Sequence, residues 1–292
     1  MSNSEYSNIW ILAEQHEGRL LRISFELITR GIELARKKSC KLCAMVFSAG
    51  MDDSELQKLI DCGVDFVVSV EDSKLKRFLP ESYTNCMLDT INKYKPEVIL
   101  AGATSTGRTL MPCVAMISYS GLTADCTQLD IENDSGNLLQ TRPAIGGNIM
   151  ATIKTPKHRP QMATIRPHST KAAGPVGKRK GEILRIKPDP KRLGSSVLYE
   201  GFVPLEEEHG IQDAEKVVVV GRGIKKAENV ALARELADSI GAAIGATRDV
   251  VDRGWLSYPH QVGLSGKTIT PKLYIGIGVS GSIQHLAGMQ TA

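Results

Sequence analysis

Short β-branched or apolar runs recur along this chain, and segments of helical period separate them. That alternation constrains the fold more than any other feature. Four runs fall within the first 120 residues: Asn8 to Ala13, Leu42 to Phe47, Phe66 to Val70 and Val98 to Ala101. The clearest helix between them covers 20–37, where Leu20, Ile23, Leu27, Ile28, Ile32 and Leu34 keep mostly to one face. The spacing suits βαβ units, and so predicts a parallel sheet with covering helices. From about 126 to 200 the helical period stops. Alternating segments such as Asn148 to Lys154 and Met162 to Ile165 there read as strands appended to the first domain. A second series starts at Lys216, with Val217 to Val220 as a strand, Glu228 to Ile240 as a helix, and Ala243 to Ala246 and Leu273 to Val279 as strands. The expected fold class is α/β with two domains, each a mainly parallel sheet with covering helices. The acidic segment Glu206-Glu207-Glu208 divides them into 1–205 and 206–292.

Composition narrows the class. At 42% hydrophobic and 23% charged residues over 292 positions, the chain is neither disordered, fibrous nor a disulfide scaffold. Its longest apolar stretches fall far short of the roughly 18 to 20 residues of a membrane helix, so no span is expected. The N-terminus carries an acid and no base before a short apolar run, unlike a signal peptide. Six cysteines are too sparse for a disulfide framework, which points to reduced thiols and a cytoplasmic location. Cys40 and Cys43 have C-x-x-C spacing but no second pair, so they are expected to be core thiols, and no metal site is expected.

The net charge of +4 conceals a polarity. Residues 154–192 hold twelve Lys or Arg against two Asp or Glu. That stretch has no aromatic residue to stack on bases, and six prolines interrupt it, which argues against nucleic-acid binding. A solvated basic connection, or a surface for an anionic cofactor or acidic partner, is the expectation.

Three glycine-rich loops follow strands. Gly102-Ala-Thr-Ser-Thr-Gly107-Arg108-Thr109 has phosphate-loop spacing, but arginine replaces the lysine that gives the motif much of its chemistry. A Ser/Thr-capped helix is favoured over ATP hydrolysis. Gly221-Arg222-Gly223 is weak evidence as a turn, yet it places an arginine where α/β sheets hold their ligands. Gly276-Ile-Gly278-Val-Ser-Gly281 matches G-x-G-x-x-G between a strand and a short helix, with glycines that would let backbone approach a pyrophosphate. The acid that would complete a nicotinamide site, about 20 residues on, does not occur within the chain. No Ser/His/Asp set or paired carboxylates emerge, so these residues do not point to an enzyme with its own substrate pocket. The alternatives are an NAD-dependent dehydrogenase built on 276–281 and a nucleotide scaffold using the 102–109 loop.

The segment Leu273-Tyr-Ile-Gly-Ile-Gly-Val-Ser-Gly-Ser-Ile-Gln-His-Leu-Ala-Gly288 resembles the signature of the electron transfer flavoprotein alpha subunit. Blocks at 101–108, 141–148, 220–223, 245–248 and 261–267 resemble the same family in the same order. The resemblance implies a heterodimer with a beta subunit, in which the C-terminal domain holds FAD. That cofactor relays electrons between an acyl-CoA or other flavin dehydrogenase and another acceptor. Carried over position by position, Arg222, Thr247, Arg248, Gln261, Val262, Gly263, Leu264, Ser265, Ser280, Gly281, Ser282, Ile283, Gln284 and His285 would line the FAD. Ser265 would bring its hydroxyl to the redox-active central ring, Arg248 would lie against the ring system, and His285 would face the pyrimidine-side carbonyl. A guanidinium about 4 Å away, at an effective dielectric of about 20, is worth about 4 kcal/mol to an anionic flavin, which makes Arg248 the first choice for tuning potential.

The block His158 to Pro167 looks most like the anaerobe-type members that bifurcate electrons from NADH, with a second FAD in the beta subunit. By that resemblance Arg142 and Arg166 would face the second flavin. The chain departs from the family at Leu264 and Ser265, where Gln and Thr are usual, and at Gly276, where Ala is usual. The family also continues for some tens of residues past 288 with elements that hold the adenosine half. The doubly wound FAD-binding domain is therefore expected to be truncated.

Overall fold

The structure is a computed structural model, and it describes residues 5–144, 149–201, 203, 210–289 and 292. The acidic segment 206–208 and residues 145–148 lie outside the described residues. Two compact units divide the chain: Met1–Arg142 with Met150–Gly201, and Pro143–Ile149 with Phe202–Ala292.

The first unit is built as the alternation predicts. Its elements begin with β1 (Ser7–Leu12), the two-residue hairpin strands β2 (Gln15–His16) and β3 (Arg19–Leu20), and α1 (Arg22–Lys38). Then follow β4 (Leu42–Ser48), α2 (Asp53–Asp61), β5 (Phe66–Glu71), α3 (Pro80–Tyr94), β6 (Pro96–Gly102), α4 (Ser105–Ile117) and β7 (Leu122–Cys126). Strand β1 shows how one sequence serves two cores. Ile9 and Ile11 point to the face covered by Leu27 of α1 and Leu59 of α2, while Trp10 and Leu12 point to Met87 of α3 and Leu110 of α4. Every residue of β4 is buried, as a strand covered on both faces requires. Helix α1 ends with Arg36, Lys37 and Lys38 in its last turn, where cations complement the helix dipole, and Ser39 closes it in the left-handed region at φ 51°.

The stretch after 126 behaves differently from a simple appendage. Strands β8 (Gln128–Ile131), β9 (Leu138–Pro143) and β10 (Met150–Ile153) do form a separate three-stranded sheet. But β11 (Gln161–Ile165) inserts into the main sheet between β6 and β7, and β12 (Glu182–Ile186) extends it beside β5. The result is a seven-stranded sheet in the order β12-β5-β4-β1-β6-β11-β7, with every pairing parallel. Gln161 can be wholly buried in β11 because its amide accepts from Leu138 N at 3.0 Å and donates to Thr155 O at 3.1 Å.

The basic stretch finds its counter-charges inside the same unit. Lys154 pairs with Glu132, Arg159 with Glu97, Arg166 with Asp125, Arg179 with Asp65, Arg185 with Glu71 and Asp53, and Arg192 with Asp89. Half of its twelve cations thus neutralise acids from the first 132 residues, where the sequence pointed to a solvated or ligand-facing surface. All six cysteines are free thiols, and burial pushes Cys43 up to about 12, which makes it an inert core thiol. Among the described residues no cluster suited to a metal ion occurs, and no helix is long and apolar enough to cross a membrane.

The second unit contains β13 (Lys216–Val220), α5 (Val230–Ile240), β14 (Ala243–Ala246), α6 (Arg248–Asp252), β15 (Leu273–Ile277) and α7 (Ile283–Leu286). Its sheet is parallel in the order β14-β13-β15. The four valines of β13 split by parity. Val218 and Val220 join Ala233 and Ala237 of α5 on one face, and Val217 and Val219 join Ile211, Val262 and Ile269 on the other.

Candidate functional site

Because all three strands of the second unit run the same way, their carboxyl ends share one edge. β13 leads into Gly221-Arg222-Gly223, β14 into Thr247 and Arg248, and β15 into Gly278 to Ser282. The chain leaves β13 for β14 on one side and later returns to β15 on the other. Such a reversal opens a crevice outside the strand ends, where open α/β sheets bind their ligands.

The glycines at this edge do two different jobs. Gly223 N donates to Gly278 O at 2.9 Å, and a Cβ at Gly278 would stand 2.7 to 2.9 Å from the backbone of Gly223 and Ile224. Gly278, at φ 65°, thus lets the two loops pack backbone against backbone. Sequence reasoning assigned this spacing to a pyrophosphate. Gly281, at φ 73°, has open space where its side chain would be. Of these two glycines, it is the one that leaves backbone free for a ligand.

Residues 261–267 form the next wall. Val262 N donates to Ala246 O at 2.8 Å, and Leu264 N to Gln284 O at 2.7 Å, so this loop ties β14 to α7. Gln261 is buried, and its Nε2 donates to Ser265 Oγ at 3.0 Å. Ser265 is exposed, and its hydroxyl keeps a proton to donate and a second lone pair to accept with.

His285 is the one buried group of the 280–285 segment. Its Nδ1 lies 3.0 Å from Val262 O and its Nε2 2.6 Å from Tyr274 Oη. A carbonyl oxygen can only accept, so Nδ1 carries the proton, and the neutral ring accepts the tyrosine hydroxyl at Nε2. Burial holds its pKa below the ordinary histidine value, with the Val262 hydrogen bond opposing. Desolvation pushes Tyr274 up to about 12, keeping it a donor. Sequence reasoning gave Tyr274 no role, since eleven residues separate it from His285 and only the fold joins them.

The cations are presented openly. Arg222 is 3.5 Å from Asp249, and Arg248 Nε is 3.2 Å from Asp252, both side chains being about two-thirds exposed or more. Thr247 begins α6, and its N donates to Val220 O at 2.9 Å. Ser280, Gly281, Ser282, Ile283 and Gln284 are exposed. Arg222, Thr247, Arg248, Gln261 to Ser265 and Ser280 to His285 thus all stand in the second unit, at its strand ends or in the loops tied to them. Arg142 and Arg166 belong to the first unit. Arg166 there is bidentate on Asp125, with Nε 3.1 Å from one oxygen and Nη2 2.5 Å from the other. Asp125 holds a positive φ of 61°.

The phosphate-loop look-alike in the first unit is a capped helix. Thr104 Oγ1 accepts from Gly107 N at 3.0 Å and donates to the Glu14 carboxyl, so the chain's own carboxyl stands at the helix start. A Cβ at Gly107 would meet Gly102 O at 1.9 Å. Glu14 passed unnoticed in the sequence, although an acid directly after a strand's apolar run was its signal.

Two exposed guanidinium groups, an exposed serine hydroxyl and an open glycine turn thus stand in one parallel α/β unit, at its strand ends or in the loops tied to them. Residues 9–191 match the electron transfer flavoprotein domain and 210–290 the electron transfer flavoprotein FAD-binding domain. The chain belongs to the electron transfer flavoprotein family, on its alpha-subunit side. It is 41% identical to the electron transfer flavoprotein subunit alpha of Thermoanaerobacterium thermosaccharolyticum, over 99% of this chain and 87% of the relative. It is 40% identical to the protein FixB of Clostridium saccharobutylicum, over 99% and 86%. It is 37% identical to the lactate dehydrogenase (NAD(+),ferredoxin) subunit LctC of Acetobacterium woodii, over 100% and 69%.

Proposed function

We propose that this chain is the alpha subunit of a heterodimeric electron transfer flavoprotein, holds FAD on the carboxyl edge of the β14-β13-β15 sheet, and relays electrons from a partner dehydrogenase to another acceptor. The observation that carries the reading is the gathering of Arg222, Arg248, Ser265 and the 280–285 segment in that one unit. The donor set suits a dinucleotide with an anionic diphosphate and an acceptor-rich ring system. When bound, FAD supplies the one- and two-electron chemistry. The chain's part is to bind and to polarise. Arg222 and Arg248 bring positive charge and planar, forked donors. Gln261 donates to Ser265 Oγ, which leaves the hydroxyl proton available to donate, and Val262 with Tyr274 fixes the His285 ring. A beta subunit, an acyl-CoA or other flavin dehydrogenase as donor, and a cytoplasmic setting complete the proposal; six free thiols support the last.

Bifurcation is a second reading within the same function. The name of the Acetobacterium relative pairs NAD(+) with ferredoxin, which supports it, and Arg142 and Arg166 remain the proposed contacts to a second flavin. The nicotinamide dehydrogenase alternative loses its main support, because Gly278 serves loop packing.

The deciding experiment is an absorption spectrum of the chain purified with its beta subunit, followed by stepwise anaerobic reduction. Flavin bands are expected. A complex colourless even after FAD is added would overturn the reading, and two flavins per heterodimer, one reducible by NADH, would favour bifurcation.

A further inference from the structure

The seven-stranded sheet has a switch point of its own, which the flavin reading leaves unused. From β1 the chain moves outward through β4 and β5 on one side, and β6 lies on the other. A cavity of about 270 Å³ opens at these strand ends, between the end of β1 and the start of α4.

Glu14 lies in its wall and is 6% exposed. Among the described residues, one donor reaches its carboxyl: Thr104 Oγ1, 2.8 and 2.9 Å from the two oxygens. A carboxylate has about four acceptor sites, and a buried one with a single donor is under-satisfied. Desolvation accordingly pushes its pKa up to about 7. The Gln15 and Tyr83 side chains in the wall are taken. Gln15 donates to Phe47 O at 3.1 Å and accepts from Gly18 N at 2.9 Å, and Tyr83 donates to Leu75 O at 3.0 Å. Phe47 and Phe78 pack edge-on to Tyr83, with centroids 5.4 and 5.1 Å away, and give the cavity an aromatic side. Two cations also line it. Arg77 is held by Glu17 at 2.7 Å, whereas Lys76 is exposed and has no acidic partner among the described residues.

These features specify a ligand by its parts. The deep end needs N–H donors, the aromatic side suits a planar ring, and Lys76 suits an anion. The anion cannot sit at the start of α4, because Thr104 takes the Gly107 amide and the Glu14 carboxyl stands there. Pockets for drug-sized ligands run from about 300 to 1,000 Å³, so this one is too small for a dinucleotide. We propose that this cavity is a second ligand site, for a nucleoside monophosphate, with the base's N–H groups on Glu14, the ring beside Phe47 and Phe78, and the phosphate on Lys76.

The test is calorimetric titration of AMP, GMP and adenosine into the full chain, alone and with its beta subunit. Lys76→Glu and Glu14→Gln are compared with the parent, and circular dichroism confirms that each is folded. Lys76→Glu is expected to weaken a monophosphate about tenfold while leaving adenosine unchanged, and Glu14→Gln to weaken both about tenfold. Equal affinity for AMP in the parent and in Lys76→Glu would overturn the proposal, since a phosphate held anywhere else behaves that way. No binding of either monophosphate at about 1 mM would overturn it too. Because Lys76 is exposed, its variant stays informative if Glu14→Gln fails to fold. The outcome is independent of whether the second unit holds flavin.

Discussion

Tyr274 Oη lies 2.6 Å from His285 Nε2, and on the far side of the ring Nδ1 lies 3.0 Å from Val262 O. The imidazole is thereby held as a single neutral tautomer by a hydroxyl from β15 and a carbonyl from the 261–267 loop. Tyr274→Phe leaves a buried nitrogen without a donor, at a cost of about 1 to 3 kcal/mol. Chemical denaturation should show that loss, and nitrogen-15 spectra of the parent should show the Nδ1 proton. A proton found on Nε2 would mean that Tyr274 is not the donor to this ring.

The same ring predicts acid sensitivity. Burial lowers its folded pKa below the ordinary 6.5. The unfolded chain therefore binds the proton first, and the contribution present above pH 6.5 is lost as pH falls from there toward the folded pKa. His285→Gln should flatten stability over that acid range.

Glu14 predicts the opposite slope. Its carboxyl is raised from 4.5 to about 7, so the folded state holds the proton longer. Stability from this group is complete below about 4.5 and is lost as pH rises through 7, a difference of the order of 3 kcal/mol. Glu14→Gln should be more stable than the parent at about pH 8 and little changed at about pH 4, as urea titrations at the two values would show.

Two glycine variants separate loop packing from ligand approach. Gly278→Ala forces a Cβ against the backbone of Gly223 and Ile224 at a positive φ, so it should destabilise the chain by roughly 3 kcal/mol or more, with or without cofactor. Gly281→Ala meets nothing, and its cost should stay near the roughly 1 to 2 kcal/mol of a left-handed residue. Equal thermal shifts would contradict the division.

Arg248→Ala should lower the potential of the first electron taken up by the bound flavin, since a positive charge beside the ring favours the reduced form. Arg248 is 71% exposed, so water and salt screen the effect. Spectroelectrochemistry of a fully loaded variant decides it, and an unchanged potential would take Arg248 out of the mechanism.

Much of this was legible in the residues alone. Hydrophobic period is a local property, so it determined the α/β class, placed helix and strand within a few residues from Arg22–Lys38 to Leu273–Ile277, and marked the glycine loops that must follow strands. The motif blocks carried the family. What only the tertiary structure decided was which distant segments meet. β11 pairs with β6 although four other strands and a helix separate them along the chain, Tyr274 finds His285, Glu14 finds Thr104, and the basic stretch of 154–192 finds the acids of the first half. Periodicity tells a strand that it will be buried and on which faces. Its neighbours are set by the packing of the whole sheet, and a polar group's charge and tautomer follow from those neighbours.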